Sequence, residues 1–195
     1  MSLPDIQAAV IPVVESLEAL GVRYFIGGSI GSSVYGIPRT TLDVDLIADL
    51  QEGHAQQLWN LLSGAYYIDL DAVRDSISRR SSFNLIHLAT MLKVDVFVLK
   101  ARPFDQESIR RTRREPLEGC ETARRFSVAS PEDILLNKLE WYRQGGEVSE
   151  RQWKDVLGVL KVQAGLLDLS HLQHWSVELR VSDLLEKALA EADIA

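Results

Sequence analysis

The sequence predicts a mixed α/β (α+β) protein, with a small mixed β-sheet flanked by helices and a helical C-terminal region. Three observations carry this. Through the first two thirds, stretches with a side-chain period of two alternate with stretches of helical period. From Ser130-Pro131-Glu132-Asp133 onward the pattern is helical throughout. No internal repeat, low-complexity tract or long linker divides the 195 residues, a length sufficient for one sizeable core with a helical appendage. The expected division is therefore a core over residues 1–128 and a helical lobe packed on it over 129–195.

The elements follow in chain order. Ile6, Ala9, Val10, Val13, Val14, Leu17 and Leu20 recur at helical spacing over residues 4–20, and Gly21 stands where a C-terminal cap belongs. Residues 22–26 read as a short strand running into Gly27-Gly28-Ser29, where the backbone must turn sharply. A short helix is expected over 30–36, a loop at Pro38, a strand over 42–48 and a helix over about 52–62. A strand near 65–68 and a helix over about 71–78 come next. Two strands at 82–88 and 92–99 are joined by a turn around 89–91. A basic helix near 105–114 and a strand around 124–128 lead to the helical third. There Ser130 is placed as an N-cap with Pro131 at the first helical position. Helices near 131–144, 149–163 and 170–192 complete the chain.

Composition excludes several classes. No stretch approaches the roughly 20 apolar residues of a membrane helix, and Met1 to Asp5 does not begin a basic-then-apolar secretory leader. A single cysteine, Cys120, leaves no internal disulfide or zinc cluster. A cytoplasmic protein without membrane partners is expected. The net charge of −7 opposes bulk coating of nucleic acid, while allowing a local site for a nucleotide or an RNA end. The basic stretch Arg110, Arg111, Arg113 and Arg114, with Arg124 and Arg125, either faces phosphates or forms a solvated helix face.

The chemistry concentrates in the aspartates. In Leu42-Asp43-Val44-Asp45-Leu46 a strand sends Asp43 and Asp45 to one face and Leu42, Val44 and Leu46 to the other. Lys93-Val94-Asp95-Val96-Phe97-Val98 repeats the scheme, with Asp95 opposite Val94, Val96 and Val98. Two strands with one apolar face each can share a sheet and bring three carboxylates together. Such a cluster repels itself unless a cation compensates. Magnesium, with manganese as a substitute, suits oxygen donors completed by phosphates and water, and such ions support in-line phosphoryl displacement. An isolated Asp-x-Asp would more simply solvate an open strand face; the third aspartate shifts the weight.

Gly27-Gly28-Ser29 follows a strand and opens a helix, where backbone amides can cradle phosphate oxygens. Ser29 or Ser32 can add a hydroxyl. Arg39, in the loop between this turn and the aspartates, reaches a triphosphate, pairs with Asp43 or faces solvent.

Gly27-Gly28-Ser29, thirteen residues, Asp43-Val44-Asp45 and later Asp95 together resemble the polymerase-β-type nucleotidyltransferase superfamily. The longer string GGSIGSSVYGIPRTTLDVDL, with SSFNLIHLATMLKVDVF, SPEDILLNKLEWYR and RQWKDVLGVL, is similar to a bacterial branch that includes the AbiEii-like toxin nucleotidyltransferases. The likeness spans about residues 20–165. It implies metal binding by Asp43, Asp45 and Asp95, with Asp95 also activating an acceptor hydroxyl. It implies triphosphate binding by Gly28 and Ser29, and polar contributions from Lys138 and Asp155, which otherwise belong to surface ion pairs.

The reading is thus a magnesium-dependent enzyme that moves a nucleoside monophosphate from an NTP to an unknown hydroxyl on RNA, protein or a small molecule. A toxin acting beside an antitoxin partner is among the roles the branch implies. The alternative is a non-catalytic nucleotide-binding or interaction protein of a two-component system with the same fold. His171 and His174 are read as a polar helix face, His87 as a structural histidine, and Trp141, Tyr142 and Trp153 as packing between C-terminal helices.

Overall fold

A computed structural model describes residues 3–41, 43–117 and 124–193. The chain divides into two compact units: Met1–Gly27 with Thr40–Arg110, and Gly28–Arg39 with Arg111–Ala195.

In the first unit, α1 (Leu3–Ala19) leads to β1 (Tyr24–Ile26), and later β2 (Asp43–Ala48) and α3 (His54–Leu62) follow. Then come β3 (Tyr66–Tyr67), α4 (Leu70–Arg79), β4 (Ser82–His87), β5 (Lys93–Val98) and α5 (Pro103–Ser108). The strands lie in the order β3-β4-β5-β2-β1. Only β2 and β5 run parallel; β1, β3 and β4 pair antiparallel to their neighbours. This mixed sheet has one closed and one half-open face. Val44, Leu46 and Ala48 of β2 and Val94, Val96 and Val98 of β5 are buried, as is the α1 stripe Ala9, Val10, Val13, Val14 and Leu17. Tyr66 joins the helix to the sheet, donating its hydroxyl proton to the Ala9 carbonyl at 2.8 Å. His87, buried beside the Tyr66 ring, shares a hydrogen bond with the Thr90 hydroxyl at 2.8 Å.

The second unit contains α2 (Gly28–Tyr35) and the antiparallel pair β6 (Arg113–Pro116) and β7 (Arg125–Val128). The helices α6 (Pro131–Gln144), α7 (Glu150–Val162), α8 (Leu169–Glu178) and α9 (Ser182–Glu191) follow. The Ser130 hydroxyl caps α6 by accepting from the Asp133 amide. At Gly36 and Gly158 the loop after α2 meets α7 backbone to backbone. A Cβ at Gly36 would sit 2.9 Å from the Val159 nitrogen and 3.0 Å from the Gly158 carbonyl carbon.

Four expectations need correction. The basic helix near 105–114 is instead the short α5 followed by β6. Arginine's good helix propensity misled there, where no apolar period supports a helix and pairing with β7 decides. The helix expected over 170–192 is broken. Arg180 adopts a left-handed φ of 58°, and the Val181 amide bonds back to the Ser176 carbonyl at 2.8 Å. This is a Schellman-type stop without the glycine that usually announces one. His171 is not on a polar face: its Nε2–H donates to Asp133 Oδ1 at 2.8 Å, and both side chains are buried. Trp141 is half exposed, whereas Tyr142 is buried against the Trp153 ring. Leu42 and Cys120 lie outside the described residues.

Candidate active site

The parallel pairing of β2 with β5 places Asp45 directly beside Asp95 and Asp43 beside Lys93. Because side chains alternate along a strand, these four share the half-open face, with the valines on the closed one. Asp95 is 9% exposed, and Asp43 and Asp45 are half-buried. Asn84 of β4, exposed, stands in register on the other side of Asp95. Two of the carboxylates have close local partners. Thr41 donates its hydroxyl to Asp43 Oδ1 at 2.7 Å, and the Lys93 ammonium lies 2.7 Å from Asp95 Oδ2. The hydrogen bond to Asp95 holds the Lys93 ammonium above its ordinary pKa against partial burial, and the charges of Asp95, Asp43 and Asp45 add to it.

Hard oxygen donors on one accessible face are the ligand chemistry magnesium favours, so these residues fit such an ion. Among the described residues no three acidic, histidine or cysteine side chains are already gathered in ligating geometry. Lys93 supplies the local positive charge, and Thr41 fixes one Asp43 oxygen.

The Gly27 amide donates to the Asp45 carbonyl at 3.0 Å, extending the pairing of β1 with β2 by one residue. A Cβ on Gly27 would meet Ile47 Cδ1 at 3.1 Å, so glycine lets β1 leave the sheet close against β2. Gly28 then enters α2 with φ at 54°, a left-handed entry that a side chain would strain. The Ser29 carbonyl accepts from the hydroxyls of Ser32 and Ser33.

In the second unit Ser29, Arg39, Lys138 and Asp155 form one network. The Arg39 guanidinium grips Asp155 with Nε at 2.8 Å and Nη2 at 3.0 Å, and Nη2 also donates to the Ser29 hydroxyl at 2.5 Å. Lys138 Nζ lies 2.6 Å from Asp155 Oδ2. Burial alone would raise the Asp155 pKa. The hydrogen bonds from Arg39 and Lys138, with their charges, more than offset it and hold the carboxyl below the ordinary range. Two cations thus share the Asp155 carboxylate.

Sequence reasoning missed three of these roles. Lys93 was readable, being two residues from Asp95 on the same strand face, and Thr41 was readable as a hydroxyl next to the strand. The grip of Arg39 on Asp155 was not, because 116 residues separate them. The arginine stretch proves to be largely ion-paired. Arg110 pairs with Glu107. Arg111 and Arg113 converge on the buried Glu132, at 3.3 and 3.5 Å.

The mixed sheet with parallel β2 and β5, flanked by helices, is a fold shared with solved nucleotidyltransferase structures. Solved structures of that class superpose on almost the whole chain. A nucleotidyltransferase-like protein from Paracoccidioides brasiliensis has a TM-score of 0.64 at 20% identity, covering 98% of this chain and 93% of its own. ANT(2")-Ia in complex with adenylyl-2"-tobramycin has a TM-score of 0.56 at 12% identity, covering 89% and 95%. The lincosamide antibiotic adenylyltransferase LnuA, lincomycin-bound, has a TM-score of 0.51 at 16% identity, covering 83% and 98%. No protein-family model and no curated protein matches the chain. No helix among the described residues is long and apolar enough to cross a membrane.

Proposed function

We propose that the protein is a magnesium-dependent nucleotidyltransferase that moves a nucleoside monophosphate from an NTP to a hydroxyl acceptor, breaking the α–β phosphoanhydride bond and releasing pyrophosphate. The observation that carries this reading is the register pairing of Asp45 with Asp95, with Asp43 on the same half-open face, in a fold shared with nucleotidyltransferases. Asp43, Asp45 and Asp95 hold the ion. When bound, magnesium neutralises charge on the phosphates and orients them for in-line displacement. Asp95, the most buried of the three, accepts the proton of the attacking hydroxyl. In the second unit Gly28 and Ser29 offer backbone amides to phosphate oxygens, and Arg39 and Lys138, held in place by Asp155, are the cationic donors that the resemblance implies for the triphosphate.

Small hydroxylated compounds are the first acceptors to test, since two proteins of this fold are named with aminoglycoside and lincosamide antibiotics. An RNA or protein acceptor would instead fit the AbiEii-like resemblance and a toxin paired with an antitoxin. One observation favours a non-catalytic nucleotide-binding role as the second reading. Thr41 and Lys93 already satisfy two of the carboxylates.

The test incubates the protein with each α-labelled triphosphate, magnesium and separate pools of aminoglycosides, lincosamides, total RNA and cell protein. Transfer of label is expected to one pool, and Asp43→Asn and Asp45→Asn each lower it by at least about a hundredfold. Transfer that survives both substitutions rejects the mechanism. Tight nucleotide binding without turnover in any pool establishes the second reading.

A further inference from the structure

We infer that Lys93 is a built-in counter-cation that competes with a divalent metal ion for Asp95. The inference rests on the metal-dependent reading above and adds what neutralises the acidic face before a metal does. Lys93 and Asp95 are two residues apart on β5 and project to the same side, with the ammonium 2.7 Å from Asp95 Oδ2. Across the parallel pair Lys93 stands beside Asp43, and Asp95 beside Asp45. Three anions and one cation therefore share a two-by-two patch of the sheet face.

Three carboxylates at that spacing raise one another's energy unless a positive charge sits among them. Lys93 supplies that charge permanently from within the strand. A divalent ion brings twice the charge to the same carboxylate, and it repels the ammonium when both sit at Asp95. Metal entry thus works against the Lys93 contact and favours its release. Its side chain is 44% exposed, so the ammonium can swing into water at small cost. The exchange keeps the face compensated in both states and sets a threshold on metal concentration.

Binding of Mn2+ to the metal-free full chain, followed by electron paramagnetic resonance of free Mn2+ and by the shift in Tm, tests this. The proteins compared are wild type, Lys93→Met, Lys93→Gln and Lys100→Met, the last removing the same charge from an exposed position beyond β5. The Lys93 variants are expected to bind Mn2+ about fivefold more tightly, and Lys100→Met to stay within about twofold of wild type. Without metal, Lys93→Met is expected to melt below wild type, and Mn2+ to raise its Tm by more. Equal or weaker Mn2+ binding by both Lys93 variants, with native near-ultraviolet circular dichroism, overturns the competition while leaving the metal reading intact. Absence of Mn2+ binding by all of the proteins overturns the metal reading and this inference with it.

Discussion

Asp155 gathers more of the second unit's polar structure than any sequence pattern indicates. Its side chain is 5% exposed and takes hydrogen bonds from both Arg39 and Lys138. Removing its charge takes the shared carboxylate from Arg39 and from the buried Lys138. Asp155→Asn is therefore expected to destabilise the protein by about 3 kcal/mol, measured by urea unfolding at pH 7. The sign of the pH dependence follows from the lowered pKa. The unfolded carboxyl titrates near its ordinary value, and the folded one below it. The stabilisation is thus complete above the unfolded pKa, near 4, and is lost as pH falls through the depressed folded value. Between pH 6 and pH 3 the wild type should lose more stability than Asp155→Asn. Parallel losses would show that the carboxyl is not held by its two partners. At this scale the three aspartates were legible because strand periodicity depends only on residues two apart. The Asp155 network was not, because a contact across more than a hundred residues leaves no local trace.

Elements were legible wherever a local rule was strong. The α1 stripe, the β2 and β5 alternation and the Ser130-Pro131 start of α6 stand where period and capping put them. Reading failed at β6 and at the α8–α9 break, because strand pairing partners and a non-glycine left-handed stop are decided outside the local window. The contact between the end of α2 and α7 is equally hidden, although its glycines are visible. Gly36 has ordinary backbone freedom and is needed for space alone. A methyl there would press on the Ser32 carbonyl oxygen at 2.8 Å and on the α7 backbone, neither of which can rotate away. Gly36→Ala is expected to cost about 2 kcal/mol by overpacking. Gly64→Ala, at a position where a methyl meets nothing within 4 Å, should be nearly neutral. Equal thermal shifts in the two variants would remove the close-approach argument.

At the scale of the whole molecule, each unit buries a tyrosine whose ionisation folding opposes. In the second unit burial, then the neighbouring Glu115, raises the Tyr35 pKa. In the first, burial pushes Tyr66 up to about 12 from 10.0. For Tyr66 the neutral phenol is the form that fits, donating to the Ala9 carbonyl and pinning α1 to the sheet. Below pH 10 both the folded and unfolded chains hold the proton, and the stabilisation is fully present. Between pH 10 and about 12 only the unfolded chain gives it up, so stability falls by up to about 1.4 kcal/mol per pH unit from this group. Tyr66→Phe removes the proton along with the hydrogen bond. It should cost about 1 kcal/mol at pH 8, yet lose stability less steeply than wild type above pH 10. Tyr35 and the lysines titrate alike in both proteins, so the difference between their urea midpoints from pH 8 to pH 12 isolates Tyr66. Midpoints that stay a constant distance apart over that range would mean that the Tyr66 phenol ionises as easily in the folded sheet as in water. Its bond to α1 would then no longer account for the way that helix is held.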